Sequence, residues 1–268
     1  MTDFHCSGNN VGILSKGVEL NRIIQNLTSR NLLFIFSGDM TQCGTDFEFK
    51  KCEDFLSRFL KQNNKNIYIS MCPGNHDAFY AISPSYTQKE MLQVNQSNFK
   101  ESLNERLLLV DNFSNFKKRV VSNFSKNEEN EINPLLCQFS INDSGEEIIV
   151  ASLNNSLFCT CNDEDFSDPN LRYNESNMGN VYISPEYLEQ LTNMHGKKVI
   201  LNMHIPYEFF DESTKAIIDQ FLEKNDVVVF SGHTHLNKGY TLKFRLESSP
   251  QNLESYFYSS ATGRSRLS

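Results

Sequence analysis

The chain has 268 residues, a formal charge of −8 and a hydrophobic fraction of 39%, with Phe and Tyr but no Trp among its aromatics. That length suits one large α/β domain with a buried core, and the acidic balance disfavours a long nucleic acid, which is usually gripped by a basic face. No apolar run is long enough to cross a bilayer and no secretory pattern opens the chain, so a cytoplasmic protein without membrane contact is expected. Val18, Ile23, Ile24 and Leu27 recur at helical spacing and predict a helix over residues 17–30. Residues 32–36 form a short apolar run entering Ser37-Gly38-Asp39, and Phe55, Leu56, Phe59 and Leu60 place a second helix over 47–62. A second apolar run, 67–71, enters Cys72-Pro73-Gly74-Asn75-His76. Continuous runs of this kind suit strands buried on both faces.

Residues 78–131 are polar and rich in Asn, Lys and Glu, with one helical candidate at 88–108; they read as an insertion or cap. Asn142-Asp143-Ser144-Gly145 is a turn signal between two strand-like runs, 135–141 and 148–153, and predicts a hairpin. An acidic, Asn-rich loop is expected over 159–180. Ser184-Pro185-Glu186 has the form of a helix start, with Ser as N-cap and Pro at the first helical position. Residues 199–203 and 227–230 are strand-like runs entering His204 and Ser231-Gly232-His233, with a helix predicted between them over 214–224. Two further strands are expected at 240–246 and 256–260. The alternation of strand, loop and helix indicates an α/β fold. The seven cysteines show no disulfide or zinc-ribbon spacing and read as small buried hydrophobes in a reducing compartment.

Five of the six histidines fall in short segments that follow one another as Asp3-Phe4-His5, Gly38-Asp39, Gly74-Asn75-His76-Asp77, His204 and Gly232-His233-Thr234-His235. Most follow a strand-like run, which would deliver their side chains to one crevice at strand C-terminal ends. Two divalent cations about 4 Å apart can clamp and polarise a phosphoryl group and generate hydroxide at neutral pH. Such a pair needs carboxylates and imidazoles, which these segments supply. In Asp3-x-His5 and His233-x-His235 the paired residues would share one side of an extended chain. Glycine before Asp39, Asn75 and His233 permits tight turns and close backbone approach. Asn75 offers a neutral oxygen, His76 would face the substrate as acid or cationic stabiliser, and Asp77 would orient His76. His195 has no motif around it and reads as a surface residue at a helix end.

This ordered set resembles the calcineurin-like metallophosphoesterase superfamily, whose motifs run D-x-H, G-D, G-N-H-[DE], H and G-H-x-H. The resemblance spans nearly the whole chain and implies a single domain over 1–268 with a four-layer α/β fold, two packed mixed β-sheets flanked by helices. It implies two divalent metal ions, Mn, Fe or Zn. Asp3, His5, Asp39 and His235 would hold one ion; Asp39 would bridge to the second, completed by Asn75, His204 and His233. His76 then corresponds to the family's substrate-facing histidine. The abrupt ends, with Asp3 almost at the start and Ser268 just after Arg264 and Arg266, read as those of a piece of a longer chain.

Phosphoprotein phosphatases of the superfamily carry Arg and Asp soon after Gly-Asp, whereas here the run is Gly38-Asp39-Met40-Thr41-Gln42-Cys43-Gly44. The motif style is closer to the cyclic-nucleotide phosphodiesterase branch, and Asn155 in Asn154-Asn155-Ser156 resembles a segment of that branch near the substrate. The expected partner is therefore a small, nucleotide-like phosphodiester. A nuclease and a non-catalytic interaction module of a larger protein are the alternatives.

Overall fold

The computed structural model describes residues 4–6, 21–60, 65–78, 88–143, 145–159, 179–234, 238–245 and 252–259. The predicted 159–180 loop lies almost wholly outside them, as do most of the first half of the 17–30 helix, Asp3 and His235; residues 21–26 are helical as expected. Strand β1 (Asn31–Ser37) is followed by helix α1 (Asp46–Leu60), then β2 (Asn66–Cys72), which pairs in parallel with β1 as a two-stranded sheet. Helices α2 (Gln88–Ser97), α3 (Phe99–Leu107) and α4 (Asp111–Phe124) come next. Strands β3 (Asn130–Asn133), β4 (Leu136–Asp143) and β5 (Glu146–Leu153) lead to α5 (Pro185–Thr192), β6 (Lys198–Met203), α6 (Glu212–Lys224) and β7 (Asp226–Ser231). Strands β8 (Lys238–Arg245) and β9 (Asn252–Ser259) complete a seven-stranded sheet in the order β3-β4-β5-β6-β7-β9-β8.

This larger sheet is mixed: β5, β6, β7 and β9 run parallel, while the predicted β4–β5 hairpin and the β8–β9 pair are antiparallel. The β1–β2 pair packs on β5, β6 and β7, α4 packs on β2 and against α1, and α6 contacts β8 and β9. That is the expected four-layer α/β arrangement. Phe36, Ile69 and Met71 are buried on the outer face of the small sheet and Ala151, Leu153, Leu201 and Val229 on the outer face of the larger one. Leu33, Tyr68, Val150 and Ile200 pack between the sheets, so both faces of these strands are largely apolar.

The 78–131 region departs from expectation. The single helix expected over 88–108 is two helices broken at Asn98, and α4 was not predicted at all. Phe113, Phe116 and Val120 form its buried stripe at spacings of three and four, against Phe49 of α1 with ring centroids 6.1 and 5.0 Å apart. Ser184 stands at the N-cap of α5 with Pro at the first turn, but its hydroxyl makes no capping bond. Capping chemistry appears instead on α6, where Asp211 accepts from the Thr214 backbone N–H. The six described cysteines are free thiols, and His195 is exposed beyond α5.

Candidate metal centre

The parallel strands β1, β2, β6 and β7 end on one side of the molecule, and the residues that follow them are those singled out by motif. Asp39 follows β1, Asn75 and His76 form a short 3-10 turn after β2, His204 follows β6 and His233 follows β7. His5 arrives separately: its N–H donates to the Asp39 carbonyl at 2.9 Å, and Cys6 N–H to Met40 at 2.9 Å, so a short bridge lays it beside Asp39. Among the described residues the non-glycine positions with left-handed backbone are His5 (φ 44°), Asp39 (φ 51°) and His233 (φ 69°), all motif residues. Side chains other than glycine avoid this region, and its use clusters at functional sites.

Two glycines make the convergence possible. A Cβ on Gly74 would lie 2.0 Å from Asp39 Oδ1, and one on Gly38 would lie 2.5 Å from the Gly74 nitrogen and 2.6 Å from His204 Nδ1. The two loops are thus in backbone contact directly beneath the side chains they present.

His204 Nδ1 lies 2.6 Å from the Ser37 carbonyl, which can only accept, so Nδ1 carries the proton and Nε2 presents a lone pair. That Nε2 faces Asn75 Oδ1 at 2.9 Å and Asp39 Oδ2 at 3.4 Å. His233 Nδ1 lies 3.1 Å from the same Asn75 oxygen, and His5 Nε2 lies 3.7 Å from Asp39 Oδ2. Asp39 Oδ1 accepts the His76 N–H at 2.9 Å, while its buried Oδ2 has no hydrogen-bond partner. Acceptors converging in a buried place repel unless a cation sits among them, so the donor set fits divalent ions. His5, Asp39 and His76 also form one compact group with ligand atoms within 4.8 Å of one another. Burial opposes the Asp39 charge; with protons on the neighbouring His204, His76 and His5 in place of ions, its carboxyl is held well below the usual range.

His76 and His233 are partly exposed, whereas His5, Asp39, Asn75 and His204 are buried. The open side of the centre is therefore the side where His76 and His233 stand, with the His76 ring edge-on to His5 at 4.7 Å. The expected His76–Asp77 partnership is corrected. His76 Nδ1 lies 3.0 Å from the Gln42 carbonyl, whereas the fully buried Asp77 carboxylate accepts from Met40, Thr41 and Gly74 N–H groups and from the Thr41 hydroxyl. Asp77 thereby staples the loop after β1 to the loop after β2. Burial and then the Asp39 charge push its carboxyl up to about 6, against the pull of those N–H donors.

Asn155, expected at the substrate wall, is fully buried with its amide committed. Its Nδ2 donates to the Ile205 carbonyl at 2.8 Å, and its Oδ1 accepts from His204 and Ile205 N–H at 3.2 and 3.0 Å. It shapes the loop that carries His204. Sequence reasoning passed over Gln42, whose contribution is a backbone carbonyl, and Asn202, a polar residue inside an apolar run, which is the signal that could have found it.

A family model described as calcineurin-like phosphoesterase matches residues 1–237. Among solved structures, a dimetal phosphatase from Danio rerio is similar at 11% identity and a TM-score of 0.43, over 97% of this chain and 86% of that one. No curated protein matches the chain. No helix among the described residues is long and apolar enough to cross a membrane.

Proposed function

Because the chain belongs to the calcineurin-like phosphoesterase family of metal-dependent phosphoester hydrolases, we propose that it cleaves a small, nucleotide-like phosphodiester using two divalent ions, Mn, Fe or Zn. The observation that carries this reading is the convergence of His204 Nε2, Asn75 Oδ1 and Asp39 Oδ2, acceptors gathered at one buried point. When bound, the ions supply positive charge to the phosphoryl oxygens and an activated water-derived nucleophile. Asp39, Asn75, His204, His233 and His5 would hold them, joined by Asp3 and His235.

His76 works on the open side. With Nδ1–H held on the Gln42 carbonyl, Nε2 is the atom able to hold a proton and pass it to the leaving oxygen, or to stabilise charge on the phosphoryl group. Asn75 contributes an oxygen without adding negative charge, which favours an anionic substrate. The loop from Gly38 to Gly44 carries no Arg or Lys to grip the second charge of a monoester, and that favours a diester. The overall charge of −8 supports a small substrate over a nucleic acid polymer.

The test is hydrolysis by the purified chain, loaded with Mn²⁺, of bis(p-nitrophenyl) phosphate and p-nitrophenyl phosphate. Faster turnover of the diester is expected. Preference for the monoester would overturn the diesterase reading, and cleavage of neither would favour a non-catalytic module. Degradation of single-stranded DNA in preference to both would favour a nuclease.

A further inference from the structure

Asn202 lies two residues before His204 on β6, fully buried between the sheets. Its Oδ1 accepts from the Ser37 hydroxyl at 2.7 Å and from the Cys72 thiol at 3.6 Å. Its Nδ2 donates to the Phe36 carbonyl at 3.1 Å and to the Ser70 hydroxyl at 2.9 Å. Ser70 in turn bonds Ser152 on β5 at 2.7 Å. One amide thus ties β6 to β1 and β2 and, through Ser70, to β5. The residues just beyond these four strands are His204, Asp39, Asn75 and Asn155.

An asparagine amide has two donors and two acceptor lone pairs, and here all four are used. Turning the amide over would set its oxygen against the Phe36 carbonyl, so only one orientation fits. Sliding one sheet past the other by a residue, roughly 3.3 Å, would break every bond at this node. Purely apolar packing would tolerate such a slide better, and an apolar side chain would fill the same space without the cost of burying an amide. The node therefore contributes register between two sheets whose ends carry different ligands of one centre.

We propose that Asn202 is a positioning residue for the metal centre: it fixes the offset between the two sheets so that Asp39, Asn75 and His204 meet on the same ions. The inference rests on the dinuclear reading given above. Its test compares the wild-type chain with Asn202→Leu and with the triple variant Ser37→Ala, Ser70→Ala, Asn202→Leu, which removes the side chains of the node as a unit. Co²⁺ is titrated into each metal-free protein and followed by visible absorbance, with stoichiometry from elemental analysis and folding checked by circular dichroism. The folded variants are expected to bind Co²⁺ about tenfold more weakly or worse, the scale seen when groups supporting metal ligands are lost, with an altered absorbance spectrum. Folded variants that take two ions with wild-type affinity and spectrum would overturn the proposal, leaving Asn202 a stability residue only. If Asn202→Leu does not fold, the triple variant decides; failure of both to fold also overturns it, since the node would then serve the fold and not the site. A wild-type chain that takes up no Co²⁺ sinks the dinuclear reading and this proposal with it, an outcome distinct from all the others.

Discussion

His5, Asp39 and His233 hold left-handed backbone at a cost of order 1–3 kcal/mol each, and the hydrogen bonds around them have to sustain it. For His5 and Asp39 the means are visible: the N–H of His5 on the Asp39 carbonyl, and the Asp77 carboxylate on the N–H groups of Met40 and Thr41. The same geometry separates the roles of Asp39 and His76. Asp39→Asn removes the carboxylate charge on which the imidazoles converge, and is expected to lower metal content and activity together. His76→Ala leaves the buried acceptors in place. It is expected to retain bound metal while losing about 10²–10⁴ in turnover, the usual contribution of a positioned proton-transfer group. Metal analysis alongside diester kinetics checks the contrast; full occupancy and activity in Asp39→Asn would sink the bridging role.

The loops, more than the strands, carry the supporting chemistry. Asn155 satisfies two backbone N–H groups and one carbonyl of the His204–Ile205 turn from the end of β5. Asn155→Ala should therefore cost about 1–3 kcal/mol, the desolvation penalty of buried groups left unpaired. Urea unfolding of the whole chain would show it, and a change within error would mean the turn finds other partners. The strands themselves were readable, because β1, β2, β6 and β7 are continuous apolar runs with a motif at each end. Helix α4 carries a legible signal, Phe113, Phe116 and Val120 at spacings of three and four, but the polar Asn, Ser and Lys residues between them made the whole stretch read as an insertion. The ligand residues were legible as short words, yet what holds them was not. Asp77 looks like a partner for its neighbour His76, and only the fold shows its carboxylate turned to the loop after β1. Gln42 acts through its carbonyl, which no side-chain pattern can encode.

At the scale of the molecule, the ions would bind the folded chain and not the unfolded one, so they add stability by mass action. Free metal at 100 times its dissociation constant would contribute about 2.7 kcal/mol. Removal by a chelator should lower the thermal midpoint, and returning Mn²⁺ should restore it; an unchanged midpoint would mean that the centre does not hold ions tightly. The node at Asn202 gives this a temporal side. It joins positions 165 and 166 residues apart in the chain, at Ser37 and Phe36, and the centre above it draws on loops just as distant. Closing such long loops is slow and comes late. Nothing resembling the ion site can then exist until both sheets have already met. Metal would arrive as a latch on a nearly finished structure: it would leave the speed of folding alone and act by slowing the chain's escape from the native state.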